Sequence, residues 1–94
     1  MKTLLSLLLG ATLAFGANPG MKLYGKHCVE CHGDNGKDTS IAPRAIGGSG
    51  GTLAKLTGYK NKTFGGAQKE TMETTVSPLS DDELKLLADY VDSL

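Results

Sequence analysis

The sequence contains no tryptophan, only two phenylalanines and only three tyrosines. Aromatic side chains carry much of the apolar burial in small domains, so the usual material for a core is scarce. There are two cysteines, Cys28 and Cys31, too few for the disulfide framework that staples many small secreted folds. A bridge between residues three apart would close too small a loop to constrain the unfolded chain much. Neither sign of charge is in excess, because ten basic and ten acidic side chains cancel. The strongly basic balance expected of a nucleic-acid binder is therefore missing. No apolar run approaches the roughly 20 residues that a bilayer-spanning helix needs. No alternating strand pattern and no internal repeat occurs, so the chain is expected to be all-α.

The first stretch has a definite order. Lys2 is followed by an apolar run from Leu4 to Phe15, and small residues come at Ala14, Gly16 and Ala17. Charge, a short apolar core and small residues at the cut define a secretory signal. Residues 1–16 are expected to be that signal, and a cut after Ala17 is the alternative. The run of about 12 residues is too short for a membrane anchor, and no cysteine at the junction suggests lipidation. The product would be exported, to the periplasm in a bacterium, and would hold no membrane anchor after cleavage. A single domain is expected over residues 17–94. Without Lys2 its net charge is −1, with Lys55, Lys60, Lys62 and Lys69 in the middle and Asp81, Asp82, Glu83, Asp89 and Asp92 near the end.

A domain of this size rarely gains more than about 3–5 kcal/mol from its own core. Thirteen glycines add unfolded-chain entropy that folding must overcome. The chain therefore calls for a staple, and with the disulfide route weak, a cofactor is the expected substitute for core.

Helical signals bracket the domain. Asn18-Pro19 places a cap and a proline at a helix start, and Met21, Leu23, Tyr24 and Cys28 follow at helical spacing. Residues 33–51 are rich in glycine and read as a loop, long for so small a domain unless something large packs beneath it. Short helices are expected over Thr52–Tyr59, ending near Gly58, and over Ala67–Thr74. Ser80 with Glu83 three residues on forms a capping box. Asp81 and Asp82 favour the positive end of the helix dipole. Leu84, Leu87, Ala88 and Val91 then define a helix from Asp81 to about Ser93.

Cys28-Val29-Glu30-Cys31-His32 is C-x-x-C-H, the attachment motif of c-type haem. Two thiols at this spacing reach the two vinyl groups on one porphyrin edge, and the adjacent imidazole turns to the iron. A thioredoxin-like redox pair would need a βαβ setting that is absent. A zinc site needs four converging ligands, and His27, Cys28, Cys31 and His32 crowd one turn. One covalently bound haem c is expected, held by Cys28 and Cys31, with His32 as an iron ligand. For the second axial position Met72 is the candidate, about 40 residues beyond His32. Met21, seven residues before Cys28, reads as packing in the first helix, and His27 as a solvent-exposed side chain.

These residues resemble the class I monohaem cytochromes c, in particular the short bacterial c553-like or c5-like type, over nearly all of residues 17–94. Gly20-Met21-Lys22-Leu23-Tyr24 with the attachment motif resembles the family's first helix. Leu79-Ser80-Asp81-Asp82-Glu83 with Leu87-Ala88-Asp89-Tyr90-Val91 resembles its last. The resemblance implies the cytochrome c fold: three to five short helices wrapped around one haem, with the first and last crossing. It implies that Gly20 lets the last helix approach and that Tyr24 and Tyr90 pack at the crossing. It implies that Pro43 supplies the carbonyl that accepts the His32 ring N–H, and it places Met72 as the distal ligand. Arg44, Tyr59, Lys60 and Lys62 are open candidates for contacts to the haem carboxylates.

The implied function is electron transport by a monomeric carrier that meets redox protein partners transiently, in a respiratory chain, with no nucleic acid involved. Two axial ligands leave no iron position for a substrate, so no enzyme is expected. The alternative is a haem enzyme or gas sensor with an open iron position.

Overall fold

A computed structural model describes residues 18–94, and the expected signal over residues 1–16 lies outside them. Five helices occur among the described residues and no strand: α1 (Pro19–His27), α2 (Val29–His32), α3 (Thr52–Asn61), α4 (Lys69–Val76) and α5 (Asp81–Asp92). None is long and apolar enough to cross a membrane.

α1 begins as its sequence dictates. Asn18 Oδ1 accepts from the Met21 N–H at 3.0 Å, with Pro19 in the first turn. α5 carries the full capping box: the Glu83 N–H donates to Ser80 Oγ at 3.1 Å, and the Ser80 N–H donates to Glu83 Oε1 at 2.9 Å. Its apolar stripe of Leu84, Leu87, Ala88 and Val91 is buried against α1 and α3. At the α1–α5 crossing a Cβ on Gly20 would run into the Leu86 carbonyl, so only glycine permits this approach. The Tyr24 and Tyr90 rings meet there with centroids 5.4 Å apart, within the range of favourable aromatic pairs. Gly20, Tyr24 and Tyr90 thus occupy the places that the family resemblance implies.

Met21 differs from expectation, being 55% exposed. α1 turns Gly20 and Tyr24 inward, and the residue next to Gly20, about 100° around the helix, faces out. α3 runs past Gly58 to Asn61 and closes on Lys62, which adopts the left-handed conformation at φ 63°. Gly58 serves packing and not termination, since a Cβ there would meet the Phe64 side chain. α4 starts two residues later than expected because Gly66, Ala67 and Gln68 form a turn, with the Lys69 N–H bonded to the Gly66 carbonyl at 3.2 Å. It then extends to Val76, only 1% exposed. Ser77 follows, and the proline after it disfavours a further helical residue.

The long loop of residues 33–51 is tied at both ends. The Tyr24 hydroxyl donates to the Gly33 carbonyl at 2.6 Å. The Ile46 and Gly47 N–H groups both donate to the Gly36 carbonyl, at 2.6 and 2.8 Å. Farther on, the Gly48 N–H donates to the Val91 carbonyl at 2.8 Å, and the Thr52 hydroxyl donates to Asp92. The end of α5 therefore anchors the loop's exit, and the stretch between Asp38 and Ala45 is free to form a wall.

Candidate functional site

The C-x-x-C-H motif occupies a break between two helices. Cys28 leaves helical geometry at φ −123°, ψ −33°, while its N–H still closes α1 on the Tyr24 carbonyl at 2.8 Å. α2 then forms one turn, with the His32 N–H on the Cys28 carbonyl at 3.0 Å and the Gly33 N–H on the Val29 carbonyl at 2.8 Å. This turn directs His32 inward, 8% exposed, and half-buries both cysteines.

The two cysteines are not bridged to each other. Burial, followed by the neighbouring Cys31, pushes the Cys28 thiol up to about 11. Thiol–disulfide oxidoreductases instead depress this value to obtain a reactive thiolate, so the local electrostatics argue against disulfide exchange. Burial lowers the His32 pKa and so favours the neutral imidazole, the form that binds a metal. His32 Nδ1 is buried and has no hydrogen-bond partner among the described residues. Buried polar atoms in finished sites are almost always paired, so this ring awaits a partner.

A cavity of about 1290 Å³ opens beside His32. Ligand pockets typically hold about 300–1,000 Å³, so this open cleft has room for a large cofactor. The loop supplies one wall through Ile41, Ala42, Pro43, Arg44, Ala45 and Ile46. α2 supplies Cys31 and His32, α3 supplies Lys55 and Tyr59, and the chain through α4 supplies Phe64, Lys69 and Met72. A recess of about 80 Å³ adjoins it, again lined by His32, Met72, Ile46, Lys55 and Tyr59 together with Leu56. His32 and Met72, remote in sequence, thus face the same two spaces.

The wall is mostly apolar, its thiol, imidazole and thioether matching the donor set of a c-type haem. No cluster of three or more His, Cys, Asp or Glu side chains is placed to hold a bare metal ion among the described residues. The residues present fit a porphyrin and not a zinc ion.

Pro43 lies on the same wall, exposed, and the Nδ1–carbonyl bond implied for it is not among the hydrogen bonds present. Of the candidates for the haem carboxylates, Arg44 and Tyr59 line the cavity. Lys60 and Lys62 do not. Lys60 instead donates to the Leu79 carbonyl and lies 3.8 Å from Asp81, while the Lys62 backbone closes α3 and its side chain is exposed. Lys55 and Lys69 line the cavity in their place, and nothing in their spacing distinguished them from other surface lysines. His27 is half-buried and lines the cavity, contrary to the expectation of a solvent-exposed side chain. It ends α1 at the break where Cys28 turns the chain.

The cytochrome c family model matches residues 17–94. The chain is 37% identical over 91 residues to the cytochrome c-553 of Nitratidesulfovibrio vulgaris, covering 89% of each chain. It is 36% identical over 74 residues to the cytochrome c-553 of Desulfomicrobium norvegicum, covering 77% of this chain and 91% of the relative.

Proposed function

The chain belongs to the cytochrome c family, as a class I monohaem member of the c-553 type carrying covalently bound haem c, and from that premise we propose how its residues serve an electron carrier. Cys28 and Cys31 form the thioether bonds. His32 and Met72 would ligate the haem iron, and the Pro43 carbonyl, on the same wall but not bonded to His32 in this structure, would accept the His32 Nδ1 hydrogen once the group is bound.

The bound group supplies a one-electron couple between ferric and ferrous iron. The protein's part is to hold and tune it. Ligation by a neutral thioether and an imidazole would favour the ferrous state and raise the potential. An acceptor on Nδ1 fixes the imidazole's orientation and increases its basicity. The apolar wall from Ile41 to Ile46 excludes water. With His32 and Met72 both ligating the iron, no substrate would reach it, consistent with a carrier and not an enzyme.

The observation that carries this reading is the convergence of His32 and Met72 on one cavity beside an imidazole whose Nδ1 lacks a partner. The finer reading is a periplasmic monomer, exported by residues 1–16 and matured to residues 17–94. It shuttles single electrons between redox proteins of a respiratory chain through brief encounters of modest area. Support comes from the order of charge, apolar run and small residues at the start of the sequence.

A reduced-minus-oxidised spectrum of the native protein and of Met72→Ala tests the ligand set. The long-wavelength methionine–iron charge-transfer band of the ferric protein is expected to vanish in the variant. An unchanged band would remove Met72 from the site. N-terminal sequencing of the secreted protein is expected to begin at Ala17; an intact Met1 would refute cleavage.

A further inference from the structure

Met72 sits midway along a strap that leaves α3 and returns at α5, and both of the strap's ends are fastened to α3. At the front, the Thr63 N–H donates to the Gly58 carbonyl at 2.8 Å. The Phe64 ring meets Tyr59 edge-on at a centroid distance of 5.2 Å, over a glycine with no Cβ to obstruct it. At the rear, the Lys60 ammonium donates to the carbonyl of Leu79, itself 4% exposed. The Asp81 carboxylate lies 3.8 Å from the same ammonium. Between these ends, residues 65–78 make only local hydrogen bonds among the described residues, such as Lys69 N–H to Gly66, Ser77 N–H to Glu73 and Thr75 hydroxyl to Thr71. Val76 and Met72 are the strap's apolar contacts with the core.

The position of Lys60 is not explained by helix capping. The start of α5 is already satisfied by Ser80 and Glu83, and a cation beside a helix N-terminus opposes the dipole. What the ammonium does there is hold the buried Leu79 carbonyl, a charge-assisted bond stronger than a neutral one, with Asp81 offsetting the misplaced charge.

We propose that Lys60 is a positioning residue for the distal ligand: it clasps the rear of the strap to α3 and so keeps Met72 from swinging away. The proposal rests on Met72 being the axial ligand. A ligand on a strap leaves when the strap lifts, and lifting the rear requires the Lys60–Leu79 bond to break. The rear of the strap would then be held only by the packing of Val76 and Leu79 in the core, and a state in which Met72 swings away gains the chain entropy of a looser loop.

The test is titration of the ferric, haem-loaded protein with imidazole, which occupies the iron only when Met72 departs, followed by loss of the charge-transfer band. Lys60→Met is expected to tighten imidazole binding about tenfold, as suits loss of one hydrogen bond to a charged group. Lys60→Arg, which keeps charge and donors, is expected to stay within about threefold of the parent, and Lys60→Gln, a neutral donor, to fall between. Ser80→Ala, which weakens the start of α5 but keeps Lys60, Asp81 and the Leu79 carbonyl, is the control for helix weakening alone and is expected to leave imidazole affinity unchanged. The proposal is overturned if Lys60→Met and Lys60→Gln lower the unfolding midpoint but not the imidazole dissociation constant, or if Ser80→Ala tightens imidazole equally. Failure of the ligand reading looks different: Met72→Ala would bind imidazole no more tightly than the parent.

Discussion

Where α1 crosses α5, Tyr24, Leu84, Leu87, Ala88 and Val91 are each at most 3% exposed and pack on one another. Along the cavity, Ile41 is 58% exposed and Phe64 43%, and the only buried imidazole has an unpaired Nδ1. Apolar residues in the first region find partners in the protein. Those in the second face a space that the polypeptide does not fill. The difference teaches that a small chain can fold around two interiors, one made of side chains and one made of a covalently held group. The meagre supply of aromatics is spent accordingly. Tyr24 and Tyr90 serve the crossing; Tyr59 and Phe64 meet edge-on at the cavity's edge.

This contrast is open to attack by mutation in the loaded protein. The largest effect is expected at the side-chain interior. Leu87→Ala, at 1% exposure, should cost about 2–5 kcal/mol in denaturant unfolding while leaving the methionine–iron band in place. A band lost together with stability would mean that the two interiors are not separable. Next comes Gly20→Val. Overpacking generally costs about 1–3 kcal/mol, and because the obstruction is the backbone carbonyl of Leu86, the upper part of that range is expected. A neutral result would show that α5 can shift without penalty.

The smallest effect concerns Tyr24. Its hydroxyl bond to Gly33 links the crossing to the residue after His32, and Tyr24→Phe should cost about 1 kcal/mol. Burial, more than any neighbouring charge, raises the tyrosine from 10.0 to about 12. Its folded pKa lies above the unfolded one, so the native state retains the proton longer. This contribution is whole below pH 10 and is lost as pH rises toward 12. Stability measured across that window should fall more steeply in the parent than in Tyr24→Phe; parallel curves would contradict the assignment.

The side-chain interior was the more legible in sequence. The spacing of Leu84, Leu87, Ala88 and Val91, the Ser80–Glu83 box and the Asn18-Pro19 start are local rules, and local rules hold where packing agrees with them. The attachment turn was equally plain, since Cys28, Cys31 and His32 lie within five residues. What escaped was set by tertiary placement. Gly58 looked like a helix stop, but it is a contact surface for Phe64. Lys60 was an open candidate for a haem carboxylate, but α5 brings the Leu79 carbonyl beside it. Met21 followed the apolar spacing of α1, and only the fold turned it outward, whereas Met72, the expected ligand, does line the cavity. His27 reaches the cavity because α1 breaks at Cys28, which the spacing of apolar residues did not reveal.

The central claim is that the covalently held group completes the interior on the cavity side. The most direct measurement is chemical unfolding, followed by far-ultraviolet circular dichroism, of a Cys28→Ala/Cys31→Ala variant produced by the native export route. Without its attachment points the colourless chain is expected to show little helix and no cooperative transition. A cooperative, native-like unfolding curve from that chain would contradict the claim.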